Sequence, residues 1–508
     1  MNIATFLENS ARRDPKKTAV RHNGEEITFG QLDRACNRLA NSLANLGLAP
    51  GDRCVLMMPN SIHSITAYYA LAKLGAEVVL VNFIYRVHEL QHILKDATPK
   101  AFIGAKPYLE EISKVLNGMK GGPSIRLALG ASDSDNFTNL ERVYSEREEF
   151  STYPAADDHT FNILYTSGTT GLPKGVMLTH WNLGRNAQIL GEMRGQIDPK
   201  TVIIGVLPLY HVYGITSVMN VSMYLGLSIE LFSSFEPEKV IGITEKEEHT
   251  ILFVVPTMLN RLIQLATENP PKRASLKFCI SGGASLPVEL LKRFERLFRA
   301  TIHEGYGLTE CPVCIENPYV KPTKPGSIGL PIPEFSAKIV DDNGKEVSPG
   351  EVGELLIKGP GVMKGYLNLP QETNETLRSG WLYTGDMARM DEDQYIYIVD
   401  RKKELIIRGG YNVYPREIEE LLYQIPDVLE TAVYGVPHED LGEEVAAVVF
   451  LKEGSQRGAE DIKRYVKDRV APYKYPRIVR IVDAPLPKSG SGKILKKEVK
   501  RIYASDRQ

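Results

Sequence analysis

Between Thr166 and Gly175, the ten residues Thr166-Ser167-Gly168-Thr169-Thr170-Gly171-Leu172-Pro173-Lys174-Gly175 hold three glycines, four hydroxyls and one lysine. That composition suits an anion: glycines let backbone N–H groups approach oxygen, and hydroxyls and an ammonium add donors. It is not a Walker A loop, which closes on Gly-Lys-Ser/Thr; here Pro173-Lys174-Gly175 stands instead. Composition alone leaves a phosphate cradle and a plain turn both open. A second chemical candidate is Lys493, which follows Ser489-Gly490-Ser491-Gly492. A backbone so rich in glycine can move and carry an ammonium to another part of the molecule. Cys311-Pro312-Val313-Cys314 reads as C-x-x-C, but no second pair completes a zinc site and no thioredoxin-like context surrounds it. Both cysteines are expected in a pocket or core.

These residues need a scaffold. Residues 161–165, Phe-Asn-Ile-Leu-Tyr, read as a buried strand leading into the loop, and helical residues begin near His180. From 50 to 260, β-rich runs at 54–58, 76–81 and 251–255 alternate with helical patterns such as 65–74, which predicts α/β layers. From about 326 to 400, short runs at 337–340 and 353–357 are separated by Asp-Asn-Gly and Pro-Gly turns, which predicts an antiparallel subdomain. Farther on, Pro415 opens a helix with Glu417, Glu419 and Glu420 near its positive end. Ile418, Leu421, Leu422 and Ile425 share one face of it. Strands at 432–436 and 445–452, a helix through Ile462 and Val466, and a strand at 480–482 complete the unit. The expected fold class is α/β. A large N-terminal domain (1–400) of layered α/β subdomains plus the β-rich subdomain precedes a small α+β C-terminal domain (401–508). The charged stretch Asp400-Arg401-Lys402-Lys403-Glu404 joins them.

Lys plus Arg total 61 against 63 Asp plus Glu, so the formal charge of −2 gives no general attraction to nucleic acid, and none is expected as a partner. The C-terminal lysines Lys496, Lys497 and Lys500 are expected on a solvated face. Five cysteines in 508 residues make no disulfide framework and suit a reducing compartment. The most apolar stretch, 202–232, contains Pro208, His211 and Glu230 and reads as buried strands and a helix, not a transmembrane segment. The first residues lack a basic region followed by an apolar run, and also a myristoylation glycine; the last four are no peroxisomal signal. A cytoplasmic location is expected.

The loop with its preceding Tyr165 resembles the signature of the adenylate-forming superfamily: acyl-CoA synthetases, peptide-synthetase adenylation domains and beetle luciferases. Further motifs follow in that superfamily's order across almost the whole chain. They are Ser281-Gly282-Gly283-Ala284, Tyr306-Gly307-Leu308-Thr309-Glu310, Gly380-Trp381-Leu382-Tyr383-Thr384-Gly385-Asp386, Asp400 to Glu404, and Pro487-Lys488-Ser489-Gly490-Ser491-Gly492-Lys493. Within it the chain looks most like bacterial fatty-acid and medium-chain acyl-CoA ligases.

The resemblance implies a reaction and its parts. A carboxylic acid attacks the α-phosphorus of ATP, pyrophosphate leaves, and the acyl-adenylate passes to CoA. Thr166, Ser167, Gly168, Thr169, Thr170 and Lys174 would handle the phosphates, with Thr166 and Glu310 holding Mg²⁺. Tyr306 would stack on adenine beside Gly282, Gly283, Ala284 and Gly307, and Thr309 would contact the α-phosphate. Asp386 would accept the ribose hydroxyls, which suits its two acceptor oxygens, with Arg401 in support. Lys493 would bridge carboxylate and phosphate. The small domain would be mobile about Lys403 and, once rotated, would open a CoA tunnel lined by Gly409 and Gly410.

The acid side follows in the same terms. Pro208 to Gly214 matches the superfamily's gate, with His211 as gate and not base. Tyr210, Tyr213, Gly214, Val218, Val313 and Cys314 would line the acyl pocket, with Ile215 and Met219 as further apolar walls. Amino-acid-activating relatives carry an Asp in this gate and dicarboxylate-activating relatives an Arg beyond Glu310. Here the gate offers Tyr210 and His211, and residues 311–320 contain no basic residue. A buried unpaired charge is costly, so an uncharged tail is expected. The alternatives are an aryl- or alicyclic-acid CoA ligase, an adenylating enzyme that loads a carrier protein, and an inactive nucleotide-binding homologue. Weak membrane association and a homodimer stay open.

Overall fold

The computed structural model describes residues 1–119, 121–132, 136–166, 173–194, 197–273, 275–320 and 322–504. Two large sheets carry most of the chain. In the first, strands Thr18–His22, Ser228–Leu231, Val202–Gly205, Thr250–Val254, Leu276–Gly282 and Ile302–Tyr306 run parallel side by side. Val202–Gly205 and Thr250–Val254 are buried at every position. A strand covered on both faces needs an unbroken apolar run, which is what the sequence shows there. The carboxyl ends of these strands deliver Gly205, Val254, Gly282 and Tyr306 to one edge, where open α/β sheets bind ligands.

The second sheet sets Arg53–Met57, Glu77–Leu80, Ala101–Ala105, Ile125–Leu129 and Thr160–Thr166 parallel. A strand not read from the sequence, Lys174–Thr179, intervenes before helix His180–Met193. It lies antiparallel to Thr160–Thr166, with Lys174 opposite Thr166. The expected phosphate loop therefore joins two strands of a hairpin. Helix Ile62–Leu74 is buried from Ser64 onward, as befits a helix apolar on all sides. Its Lys73, 1% exposed, is neutralised by Glu8 at 2.7 Å and Asp33 at 2.9 Å.

The third sheet is antiparallel and built from Ser336–Val340, Gly353–Lys358, Trp381–Met390, Leu377–Arg378 and Ile396–Arg401. The register of Trp381–Met390 against Ile396–Arg401 sets Asp386 opposite Arg401. Beyond it, Ile406–Arg408, Tyr411–Val413, Val428–His438 and Gly442–Leu451 form an antiparallel sheet with Ile478–Val482 added in parallel. Alternate residues of this small C-terminal sheet feed two separate cores. Val433, Val445 and Val449 pack with Ile418, Leu422, Ile462 and Val466, whereas Ala432, Tyr434 and Val448 pack with Leu486 and Val499.

Candidate active site

Tyr306 ends its strand at the sheet edge and donates its hydroxyl to Asp386 Oδ2 at 2.6 Å. Arg401 Nε lies 3.2 Å from the other carboxylate oxygen. Asp386 is 4% exposed. Burial raises its pKa, and the Arg401 charge and the Tyr306 hydrogen bond pull the other way. Just past Tyr306, reciprocal backbone hydrogen bonds between Leu308 and Cys311 hold Thr309 and Glu310 at the tip of a tight turn. Gly307 must be glycine here: a Cβ would lie 2.9 Å from the Pro312 carbonyl. Cys311 and Cys314, both fully buried, sit beneath this turn as expected.

Glu310 accepts a hydrogen bond from Tyr366 at 2.9 Å, and Lys174 lies 5.0 Å over the Tyr366 ring. Because Lys174 is paired with Thr166 in register, Thr166, Lys174, Tyr366 and Glu310 form one continuous line of contacts. Ser167, Gly168, Thr169 and Thr170 lie outside the described residues. One carboxylate and one hydroxyl make a sparse oxygen set. That suits a hard cation that completes its coordination with phosphate and water. Among the described residues, no three His, Cys, Asp or Glu side chains cluster to hold a metal unaided.

Lys493 arrives from the small C-terminal sheet. Its loop is a closed turn: Ser489 N donates to Lys493 O at 2.8 Å, and Lys493 N donates to Ser489 Oγ at 3.2 Å. Sequence reading expects a backbone free to move; the structure shows one braced by hydrogen bonds. Thr257 fixes the loop by donating to Gly492 O at 2.8 Å. The lysine side chain passes Gly283, with Cε 3.1 Å from where a Cβ would stand. Burial first, then the Arg401 charge, lowers its pKa to about 8, while Asp386 and Glu310 oppose the shift. His211 is the neighbour on the other side. Loss of hydration and the Lys493 charge push its pKa down to about 3, which keeps the ring neutral at neutral pH.

Further contacts dock the small unit. Asn260 donates to Leu429 O at 2.8 Å, and Arg416 Nη1 to Ile398 O at 2.5 Å. Asp400 Oδ2 accepts the Arg416 backbone N–H at 3.0 Å, capping helix Pro415–Tyr423 from outside it. Glu304, absent from the sequence reading, is 3% exposed beside this junction, and its pKa is raised to about 8 by burial against the opposing pull of Arg416. The hint was a lone Glu in an otherwise buried strand. Lys496, expected on a solvated face, instead pairs with Glu419 at 2.9 Å and Glu404 at 3.3 Å. Two carboxylates draw it inward. Gly409 and Gly410 form the turn between Ile406–Arg408 and Tyr411–Val413, both at positive φ. Gly409 N donates to Leu441 O at 2.8 Å within the small unit.

The acid-side residues scatter. Tyr213 donates to Ile280 O at 3.0 Å, and its ring lies under Gly282. Val218 packs on Gly205, and Gly214 abuts the Pro208 carbonyl. Val313 O accepts from Asn186 at 2.7 Å. Only Tyr210 of the six lines the apolar cavity nearby, together with Met219 and the unforeseen Leu56, Met58, Leu80 and Leu209.

Comparison with known proteins adds sequence and fold relatives. Residues 7–367 match the family model described as AMP-binding enzyme, and residues 417–493 match AMP-binding enzyme C-terminal domain. A long-chain-fatty-acid–CoA ligase of Bacillus subtilis (strain 168) is 37% identical over 530 residues, 98% of this chain and 94% of that protein. A feruloyl-CoA synthase of an Amycolatopsis species is 36% identical, covering 99% of both chains. The crystal structure of ATP-bound MatB from Rhodopseudomonas palustris superposes with a TM-score of 0.90 at 32% identity, covering 100% of both chains.

Proposed function

This chain belongs to the AMP-binding enzyme family and is an ATP-dependent, AMP-forming acid–CoA ligase; from that premise we propose which acid it takes and which side chains carry its two half-reactions. The observation that carries the reading is the convergence of Lys493 with Asp386, Arg401 and Glu310 at the carboxyl ends of the parallel strands.

In the first half-reaction an acid carboxylate oxygen attacks the α-phosphorus, a P–O bond forms, and pyrophosphate leaves. Two anions meet, so the site needs preorganised positive charge, not a base. Asp386 takes the ribose hydroxyls and Arg401 steadies it. Thr309 and the Lys493 ammonium hold the α-phosphate, and Lys493 also draws the carboxylate to it. Glu310 and Thr166 would hold Mg²⁺, which shields phosphate charge when bound. In the second half-reaction the CoA sulfur attacks the acyl carbon and AMP departs. For this the small domain, about residues 401–508, swings on Lys403, withdraws Lys493 and brings Gly409 and Gly410 to the thiol path.

The acid is a fatty or medium-chain one. The gate offers Tyr210 and a neutral His211, and residues 311–320 bring no base to pair with a second substrate charge. The likeness to a feruloyl-CoA synthase favours an aryl acid as the second reading. A cytoplasmic site of action fits five free, buried cysteines, and no helix among the described residues is long and apolar enough to cross a membrane. A panel of straight-chain and aryl acids with ATP, Mg²⁺ and CoA, scored for AMP and thioester, tests the assignment. Straight-chain acids should lead, and ADP in place of AMP would overturn the scheme.

A further inference from the structure

We propose that Tyr210 couples the size of the acid's tail to docking of the Lys493 loop, its ring roofing an apolar cavity and its hydroxyl forming the seat of Gly490. The proposal rests on the ligase reading and deepens it.

The cavity measures ≈ 10 Å³, room for about one water. Leu56, Met58, Leu80, Leu209 and Met219 make its walls apolar. Its two remaining polar side chains are already engaged: the Ser64 hydroxyl donates to Ser61 O at 2.8 Å, and Tyr68 accepts from Asn162 at 3.1 Å. The space therefore favours an apolar group over a polar one, and takes more than a single methyl or methylene only when its walls move. Two of its walls are methionines, whose unbranched side chains repack readily around a guest. Tyr210 lines the cavity and its chain neighbour His211 lies beside the Lys493 charge, so a tail that runs from Lys493 into the cavity meets the Tyr210 ring. Phe83 stands edge-on to that ring, centroids 5.5 Å apart at 88°, and closes one side of it.

On the outer face, the Tyr210 hydroxyl touches the mobile unit. A Cβ at Gly490 would stand 2.6 Å from Tyr210 Oη and 2.6 Å from Asn82 Nδ2. A side chain there would have to displace the ends of both, so the Gly490 backbone lies directly on Tyr210 and Asn82. Asn82 is itself held, accepting from Ile84 N at 3.1 Å. Gly490 belongs to the closed turn that carries Lys493. A tail that fits the cavity leaves the seat in place. A tail too large drives the Tyr210 hydroxyl into Gly490 and lifts Lys493 from the α-phosphate. Acid choice is then expressed in the rate of adenylation as well as in acid binding.

Two sets of variants test this by pyrophosphate exchange across straight-chain acids of increasing length. Met219→Ala should move the preferred acid to longer chains and Leu80→Phe to shorter ones, with changes of about tenfold or more per methylene. Gly490→Ala should lower adenylation about 10²-fold or more by displacing Lys493, yet leave thioester formation from supplied acyl-adenylate unchanged. Tyr210→Phe with Asn82→Ala should restore adenylation in that background. An unmoved optimum in both cavity variants, or equal loss of both half-reactions in Gly490→Ala, overturns the coupling. Wild-type enzyme that exchanges pyrophosphate with no acid would instead overturn the ligase reading itself.

Discussion

The Tyr306 hydroxyl and the Asp386 carboxylate, 80 residues apart in the chain, meet at 2.6 Å where the end of a parallel strand faces the middle of an antiparallel one. The bond aims a buried acid toward the place where a ribose would lie. Tyr306→Phe keeps the ring and removes the donor. A hydrogen bond to a charged group is worth about 1.5–3 kcal/mol, so nucleotide Kd should rise roughly ten- to a hundredfold. Isothermal titration with ATP reads this, and unchanged affinity would show that the Tyr306 hydroxyl's bond to Asp386 does not support nucleotide binding.

Lys493→Ala should slow adenylation about 10²- to 10³-fold, the usual cost of one preorganised electrostatic contact. Thioester formation from a supplied acyl-adenylate should survive. A mutant that exchanges pyrophosphate at the normal rate would show the assignment to be wrong.

The pH profile follows from two lowered pKa values. Burial and Arg401 bring Lys493 from 10.5 to about 8, so its useful ammonium form is present below about 8 and is lost as pH rises through it. The kcat/KM for adenylation, which reports the free enzyme, should fall above pH 8. His211, lowered from 6.5 to about 3, stays neutral across the working range and should add no limb near 6.5. Lys493→Arg should abolish the alkaline limb in whatever activity it keeps.

Glu304 makes a stability prediction. Its folded pKa of about 8 lies above the ordinary 4.5, so its contribution is fully present below the unfolded value and is lost as pH rises through about 8. Thermal unfolding should therefore move to lower temperature between pH 5 and 9 in the wild type. Glu304→Gln, which mimics the protonated acid, should flatten that slope; an identical slope would show that Glu304 does not titrate there.

Lys403 lies in a turn closed by the Glu404 N–H donating to Arg401 O at 2.9 Å. Proline there restricts the preceding residue as well as its own φ. Lys403→Pro should slow thioester formation while leaving adenylation largely intact. Equal loss of both steps would count against a hinge at this position.

Local pattern carried much of the fold into view. Strands at 54–58, 251–255 and 353–357 and the helix opened by Pro415 announce themselves through apolar runs and breakers, which are properties of neighbouring residues. Asp386 and Arg401 were both visible as motif residues, but their partnership depends on strand register. The strand at 174–179 is hard to read because only Val176 to Leu178 of it are apolar, flanked by Lys174-Gly175 and Thr179, and its partner lies across the loop. Lys496 was misjudged because a run of lysines says nothing about the carboxylates that two other elements bring to it. The partners of Glu304 and the cavity beneath Tyr210 arise only when distant segments pack, so no local spacing announces them.

The cap that Asp400 provides to helix Pro415–Tyr423 is accepted from a backbone N–H, not from a side chain. Every residue except proline supplies that donor, whatever stands at 416. This one contact is therefore indifferent to the side chain at 416, although the Arg416 guanidinium adds its own bond to Ile398 O, and a C-terminal unit transplanted from a relative would meet the same cap. Recombination between members of such a family can exchange the C-terminal unit without renegotiating this contact.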